Sequence, residues 1–385
     1  MNKNITYYYW SKFFTGFRFF VPIWILFGLK FMGLSPQANL EAIAFFMGTI
    51  MELPSGALAD LIGRKASIII GWFITATSHI LLGLSFNSFF YVLWSLLGGF
   101  GGAFISGADT ALIYDSLKQE NKESEFAVIQ SKAMVLYRIG IIVATFTGGF
   151  IYKIDNRLPY VLMGIFELIG MLFLFLLKEP NIDSIKFTWS RYLQTIIDGI
   201  KQFTKNSHNK LLAIYYLIIG GISFSSLFFF NYSYAVDLGF DGIKQSYLFG
   251  ISGITKALIV YFLSKYFIKI GKKRILWIFP IFMILFYLPA VYAPFLLAVL
   301  IIIATDTIAA ARMSVLDQIV NDELESKSRA TALSFLNMLV SIVYMAILFS
   351  GGIIVEKYGT SYLYTILGTC LILLIPITYK LTKHH

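Results

Sequence analysis

The sequence has little charge and almost no cysteine. Only 14% of its 385 residues are charged, 58% are hydrophobic and the mean hydropathy is +0.75, whereas a soluble domain carries about 25% charged residues. Cys370 is the only cysteine, so the chain can form neither an internal disulfide nor a metal site built from several cysteines. This composition excludes an ordinary soluble protein and predicts a membrane protein.

The motifs of ATP-driven pumps and of common catalytic centres are also missing. The chain contains no G-x-x-x-x-G-K-[ST] loop, so it is not predicted to be an ATP-driven pump. Its four histidines, His79, His208, His384 and His385, lack the spacing of metal ligands. We therefore expect no enzymatic activity, no bound metal and no cofactor.

Long apolar runs fill most of the chain instead. About twelve runs of about twenty residues occur, each long enough to cross a hydrocarbon core of roughly 30 Å as a helix. They cover residues 10–33, 40–59, 66–85, 89–113, 131–152, 159–177, 211–233, 245–265, 275–293, 295–316, 331–354 and 360–380. The runs are continuous, unlike the short alternating segments of a membrane barrel. The predicted fold is an all-α polytopic membrane protein with twelve transmembrane helices.

Lysine and arginine are distributed unequally between the two sides of these spans. Roughly 22 of the 31 fall on one side, and cytoplasmic loops are the ones enriched in positive charge. That side holds both termini and the loops with Arg64, Lys118, Lys186, Lys272 and Lys327. We expect a multi-pass protein of the cell (inner) membrane with both termini in the cytoplasm. The net charge of +10 suits anionic headgroups, and because it is spread over short loops we expect no nucleic-acid partner.

The sequence repeats itself at an offset of about two hundred residues. "FTGGFIYK" at 146–153 recurs as "FSGGIIVE" at 349–356, and "IGRK" at 62–65 is answered by "IGKK" at 270–273. Asp115 aligns with Asp317 in the same way. Two halves in the same orientation are typical of a transporter that arose by parallel duplication. The predicted domains are therefore six-helix bundles at residues 1–178 and 211–385.

A polar connection at residues 179–210 joins the halves. Within it, "WSRYLQTIIDGIKQF" places apolar residues at helical spacing, with charged residues on the other side. This pattern predicts an amphipathic helix on the cytoplasmic leaflet. A plain linker with no separate role is the alternative.

The polar segment "GALADLIGRK" at 56–65 interrupts two apolar spans. Gly63 allows a sharp turn, and Asp60 can hydrogen-bond Arg64. A loop whose positive charges only fix orientation is the alternative, but it does not explain the acid or the glycines. The segment resembles the major facilitator superfamily signature G-x-L-x-D-x-x-G-R-K between helices two and three at six positions: Gly56, Leu58, Asp60, Gly63, Arg64 and Lys65.

The resemblance extends over the whole chain in length, span number and duplicated halves, and in length the chain is most similar to bacterial drug-efflux members. It implies two six-helix bundles that rock around a central cavity, open to one side at a time. It also implies that the 56–65 loop latches the cytoplasmic gate in the outward-open state. Two departures from the family pattern weaken the prediction of drug–proton antiport. Ser95 stands where efflux members have arginine, and Phe146 and Thr147 stand in place of a Gly-Pro.

Several charges lie within the apolar spans, where an unpaired charge costs at least about 2.5 kcal/mol. They are Arg18, Glu52, Asp109, Arg138, Glu167, Lys256, Asp306 and Arg312. Counted along the helices, the first four share a depth of roughly 9–12 Å from the cytoplasmic end, which predicts one layer of two acids and two arginines. The layer is either a set of permanent salt bridges or a proton site in which Asp109 or Glu52 titrates. We expect Glu167, on a lipid-facing helix, to make only a local contact.

Aromatic and amide side chains are candidate cavity residues. Phe17 and Phe228 lie in aromatic-rich stretches that can stack on a flat or cationic molecule, although such residues also pack helices together. Asn231 and Asn337 are polar residues within spans and candidate hydrogen-bonding groups of the cavity.

These features predict a secondary active transporter that exports amphiphilic or drug-like organic compounds and is driven by the proton gradient. The alternatives are a proton-coupled uptake symporter of a polar or anionic metabolite, a lipid flippase, and a non-transporting membrane receptor. The expected partners are a small-molecule substrate, protons and membrane lipids, and we expect a monomer.

Overall fold

A computed structural model describes residues 3–106, 108–179, 206–324 and 329–383, together with residues 197, 201, 203 and 204. Inside helices, it describes only the backbone of residues 52–61, 268, 329–331 and 334. All regular structure in these ranges is helical, as expected for a protein that must satisfy its backbone hydrogen bonds within apolar surroundings. Most of the predicted linker at 179–210 lies outside the described residues.

The helices of the first sequence half follow the predicted spans closely. They are α1 Lys3–Thr15, α2 Trp24–Gly28, α3 Leu34–Ile62, α4 Arg64–Gly83, α5 Ser88–Ile105, α6 Ala108–Lys118, α7 Phe126–Ile154 and α8 Leu158–Phe175. Asn87 caps α5, since its side chain accepts a hydrogen bond from the backbone N–H of Phe90. Proline in the first turn of α8 fits the usual start of a helix.

The helices of the second half have the same overall order. They are α9 Ser207–Ser225, α10 Asn231–Asp237, α11 Gly242–Ile270, α12 Lys272–Tyr287, α13 Phe295–Glu323, α14 Arg329–Tyr358, α15 Thr360–Ile372 and α16 Leu374–Lys383. A π-helical turn, Ser226–Phe230, joins α9 to α10. Such turns widen a helix locally and often occur at functional sites.

Ten helical segments among the described residues are long and apolar enough to cross a membrane. They correspond to the last ten predicted spans. The first predicted span, 10–33, is divided between α1 and α2, because the chain turns after Gly16 instead of continuing as a helix. The second, 40–59, lies in α3, a helix of 29 residues. For these two spans the twelve-helix count remains a prediction.

The chain divides into two compact units that do not coincide with the two sequence halves. One comprises Met1–Met32, Ile43–Phe187 and Asp241–Gly250, and the other comprises Gly33–Ala42, Thr188–Phe240 and Ile251–His385. The start of α11 thus belongs to the first unit, and the start of α3 belongs to the second. The predicted domain boundaries at 178 and 211 describe the duplication and remain a prediction.

The glycine pairs of the repeated FTGG and FSGG motifs explain why the starts of α3 and α11 belong to the unit of the other sequence half. In the first unit, a Cβ on Gly149 would lie 1.9 Å from the carbonyl oxygen of Gly242, so α7 meets the start of α11 backbone to backbone. In the second, a Cβ on Gly352 would lie 2.9 Å from Cβ of Ala38, at the start of α3. Small residues permit such close approach between membrane helices. The sequence repeat therefore marks equivalent contacts in the two units.

Buried apolar side chains fix α6, which carries two acids of interest. Leu112 packs in a cluster with Ile68, Trp72 and Leu174, while Ile113 packs with Tyr8 on its other side. Both α6 residues are 1% exposed or less. Asp109 lies about one turn before these residues and Asp115 about one turn after them. Because the backbone holds neighbouring turns of a helix together, this packing sets the directions of both carboxylates.

Candidate functional site

The loop between α3 and α4 is shaped by one glycine. Gly63 has φ 96° and ψ 148°, a conformation that only glycine adopts without strain. It ends α3 at Ile62 and starts α4 at Arg64. The sharp turn predicted from the sequence is therefore present at the expected residue.

Arg64 and the first turn of α4 are held by two acids from distant parts of the chain. The Arg64 guanidinium forms an ion pair with Asp115 on α6. Glu179 accepts hydrogen bonds from the backbone N–H groups of Arg64 and Lys65, at 2.8 Å each. A carboxylate at this position also favours the positive end of the α4 dipole. The start of α4 is thus tied to α6 and to the segment after α8.

Lys65 completes this group of contacts, which we name the α4 loop cluster: Gly63, Arg64, Lys65, Asp115 and Glu179. Its ammonium donates to the carbonyl oxygens of Phe175 at 2.8 Å and Leu177 at 2.7 Å, at the end of α8. These carbonyls have no partner further along the helix. Lys65 therefore acts as a cation at a helix C-terminus.

The sequence predicted Asp60 as the partner of Arg64. The side chain of Asp60 lies outside the described residues, as does the packing around Gly56, so this pairing stays a prediction; the structure shows Asp115 beside Arg64. Asp115 had one signal in the sequence, its alignment with Asp317 in the repeat. Glu179 had none, because a single acid between a lysine and a proline resembles any polar loop residue.

Asp109, predicted to face an arginine, forms an ion pair with Lys12 of α1. Lys12 also lies 5.3 Å from the ring centroid of Tyr8, whose hydroxyl donates to Gln130 at 2.9 Å. The side chain of Lys12 is 15% exposed and that of Asp109 is 12% exposed. Lys12 stands close to the predicted start of the first span, so its position gives no signal of a charge within the membrane.

Neither arginine of the predicted layer forms an ion pair with Asp109. The guanidinium of Arg18 faces the Tyr137 ring at 5.6 Å, and its Nε has no hydrogen-bond partner among the described residues. Arg138 is exposed on α7. The side chain of Glu52 lies outside the described residues. The single layer of four charges therefore remains a prediction.

Glu167 on α8 is 1% exposed and lies beside His79 of α4, with 2.7 Å between Oε2 and Nδ1. Phe20 stacks on the histidine ring at 6.1 Å. The pair joins two helices of the first unit that pack closely against each other. This matches the local contact expected for Glu167, and it supplies the partner that the sequence did not identify.

The second unit contains a buried ion pair between α11 and α13. Lys256 Nζ donates to Asp306 Oδ2 at 2.9 Å, and the Ser252 hydroxyl donates to the same oxygen. Asp306 is 3% exposed. Both charged residues were candidates from the sequence, but only the structure pairs them. Each unit therefore contains a largely buried lysine–aspartate pair between two helices.

Arg312 on α13 is buried among aromatic rings. Its guanidinium carbon lies 4.1 Å from the Tyr216 ring centroid and 5.2 Å from that of Phe224, so the cation faces two π-systems. It is 1% exposed, and its Nε and Nη2 have no hydrogen-bond partner among the described residues. The Tyr216 hydroxyl donates to Asp317 at 2.7 Å and to Asn337 at 3.0 Å.

The aromatic and amide candidates have different surroundings. The ring centroid of Phe228 lies 5.5 Å from that of Phe224, so Phe228 adds a third aromatic ring to the group near Arg312. Asn231 is fully buried and accepts from Thr305 and Tyr364 at 2.8 and 2.6 Å. Phe17 lies 4.7 Å from Phe166 of α8, within an aromatic cluster that packs the helices together. Within the described part of the chain, no group of three His, Cys, Asp or Glu side chains is arranged to hold a metal ion.

Comparison with known proteins identifies the family. The sequence model of the Major Facilitator Superfamily matches residues 12–321. The chain belongs to the major facilitator superfamily. It is therefore a multi-pass membrane transporter, and the predicted membership of this superfamily is confirmed.

Two curated superfamily relatives are resistance proteins. The chain is 25% identical to quinolone resistance protein NorA of Staphylococcus aureus over 186 residues, 47% of each chain. It is 27% identical to multidrug resistance protein 2 of Bacillus subtilis over 271 residues, 68% of this chain and 66% of the relative. The match with NorA thus spans about half the length of that protein.

A solved superfamily structure confirms the fold. The crystal structure of the nucleoside transporter NupG superposes with a TM-score of 0.74 at 18% sequence identity, covering 100% of both chains. At this identity the likeness concerns the fold alone. The predicted all-helical transporter fold is therefore confirmed.

Proposed function

We propose that this chain exports amphiphilic or drug-like organic compounds across the membrane in exchange for protons. The observation that carries the proposal is the buried Lys256–Asp306 ion pair between two helices of the second unit. The names of the two resistance-protein relatives support the substrate class. The aromatic surroundings of Arg312 support it as well, since rings stack on flat organic molecules.

The ion pair connects proton binding to helix packing. A buried carboxylate stays ionised only while a cation and hydrogen-bond donors compensate for its lost hydration. Lys256 and Ser252 provide this compensation for Asp306. A proton on Asp306 removes the charge that attracts Lys256, so α11 is released from α13. Lys12 and Asp109 provide the corresponding contact between α1 and α6 in the first unit.

Proton-driven transport by purified protein in liposomes tests this proposal. We expect Asp306→Asn to reduce transport driven by a pH gradient at least about ten-fold, while exchange of substrate down its own gradient persists, because the amide cannot release a proton. Asp322→Asn is the matched control: this acid lies on the same helix, its side chain is 45% exposed, and we expect little change. Full proton-driven export by Asp306→Asn would refute the proposal.

Uptake of a polar or anionic compound is the second candidate, and Arg312 favours it. A buried guanidinium with two nitrogen atoms, Nε and Nη2, unpartnered among the described residues can bind a carboxylate or phosphate in a forked geometry. Right-side-out and inside-out vesicles distinguish the directions of transport. Substrate accumulation in the former that is lost in Arg312→Lys would support uptake, because lysine keeps the charge without the fork.

A further inference from the structure

We propose that the second unit contains a binding site for one anionic phospholipid, formed by α11, α12 and α13. Two cavities carry the inference, one apolar and one basic, and they lie one above the other along the same helices. Neither contains any of the charged residues assigned to transport. The proposal is therefore independent of the proposed function.

The apolar cavity has a volume of about 520 Å³ and is lined from all three helices. Its walls include Ile259, Phe279, Phe282 and Ile308. Two threonines also line it, but their hydroxyls donate to carbonyls of their own helices: Thr255 to Ile251 at 3.0 Å and Thr307 to Ile303 at 2.7 Å. No hydroxyl is thus left to donate into the cavity, and its chemistry suits an acyl chain.

The basic cavity has a volume of about 510 Å³ and lies where α11 ends and α12 begins. Lys269, Lys272, Lys273 and Arg274 line it, together with one acid, Glu323. Lys272 is compensated by Asp322 at 3.1 Å and Glu323 at 3.4 Å. Within the described part of the chain, no acid forms an ion pair with the other three cations. The cavity therefore keeps an excess of positive charge.

The turn between the two helices leaves room at this cavity. Gly271 has φ +82°, and a Cβ placed on it would have no atom within 4 Å. The backbone N–H groups in the first turn of α12 have no partners within their own helix, and they reinforce the positive potential. Charge and open space thus coincide at the end of the helices that the lysine distribution places in the cytoplasm.

The two cavities lie next to each other along α12 and α13. On α12, Lys272 lines the basic cavity and Ile275, three residues later, lines the apolar one. On α13, Val315 lines the apolar cavity and Ile319, four residues later, lines the basic one. On both helices the linings of the two cavities thus meet within one helical turn, about 5.4 Å.

This arrangement selects one kind of occupant. A free phosphate would use only the basic cavity, and a neutral apolar compound would use only the other. A phospholipid with an anionic headgroup occupies both at once, with its phosphate beside the lysines and an acyl chain between the helices. Basic pockets between membrane helices on the cytoplasmic side bind anionic headgroups in this way.

Native mass spectrometry of the full-length purified protein tests the site. Three probes are compared: phosphatidylglycerol, phosphatidylcholine with the same acyl chains, and glycerol 3-phosphate, which lacks chains. We expect phosphatidylglycerol to be retained at least about ten-fold more than either of the others, because each lysine or arginine near the headgroup adds to the attraction. Equal retention of phosphatidylcholine would overturn the role of charge, and equal binding of glycerol 3-phosphate would overturn the role of the apolar cavity.

Variants separate the two cavities. Lys269→Gln, Lys273→Gln and Arg274→Gln combined should abolish the preference for phosphatidylglycerol. The matched control is Lys118→Gln, Lys122→Gln and Lys132→Gln, which removes three exposed lysines from the first unit and should leave the preference unchanged. Ala304→Phe fills the apolar cavity without changing charge, and should reduce retention of phosphatidylglycerol as well. An unchanged preference in both site variants, or an equal loss in the control, would overturn the proposal.

Discussion

The two loops that begin α4 and α12 have nearly the same sequence, "IGRK" and "IGKK", but they are held in different ways. Gly63 and Gly271 have similar positive φ values, 96° and 82°, so the backbone turn is shared. The contacts of the following side chains differ. Arg64 reaches Asp115, whose side chain is 11% exposed, whereas Lys272 reaches Asp322, whose side chain is 45% exposed.

Capping of the two helices differs too. Glu179 accepts two backbone hydrogen bonds at the start of α4. At the start of α12 no side chain among the described residues caps the helix, and the basic cavity adjoins it. A duplicated turn has thus produced a tightly tied loop in one half and a loop beside an open cationic cavity in the other. We infer that the first loop acts as the conformational latch that the superfamily signature implies, and that the second serves the lipid site.

The largest expected effect is that of Asp115→Asn. It removes the charge that compensates Arg64 among the described residues, in a partly buried position, which should destabilise the protein by about 2 kcal/mol. A decrease in the thermal unfolding temperature of the detergent-solubilised protein measures this effect. Asp322→Asn is the matched change in the other loop, and it should cost under about 0.5 kcal/mol because the pair is exposed. Equal losses in the two variants would show that the loops are held in the same way.

Replacing the two glycines should give intermediate effects that again differ. Alanine at either position must adopt a positive φ, which costs about 1–2 kcal/mol. At Gly63 the added methyl group would also lie 3.3 Å from Glu179 Oε1, whereas at Gly271 it meets open space. Thermal unfolding should therefore show a larger loss for Gly63→Ala than for Gly271→Ala. The reverse order would contradict the close approach of Glu179.

The smallest effect should come from Glu179→Gln, which removes the negative charge at the start of α4 but keeps a hydrogen-bond acceptor. Loss of the favourable interaction with the helix dipole should cost about 0.5–1 kcal/mol. Raising the salt concentration should narrow the difference from the unchanged protein, since the glutamate is exposed. A difference in unfolding temperature that is independent of salt would contradict an electrostatic role for Glu179.

Much of the fold could be predicted because apolar runs of membrane length carry their own signal. The positions of ten spans and the turn at Gly63 follow from local sequence. The break after Gly16 could not be predicted, since it depends on a close approach to α7, where a Cβ on Gly16 would lie 2.4 Å from the carbonyl oxygen of Tyr137. Such a contact joins residues more than a hundred positions apart and has no local pattern.

In the candidate site, too, some features follow from the sequence and others depend on tertiary contacts. The sequence by itself determined which residues carry charge into the membrane, because charge in an apolar run is conspicuous and costly. Only the tertiary structure decided their partners: Lys12 for Asp109, and Lys256 for Asp306. Depth along a helix can be counted from the sequence, but the direction of a side chain around the helix and the identity of the neighbouring helix depend on packing. Ion pairing requires all three, so its partners emerge only when the helices are assembled.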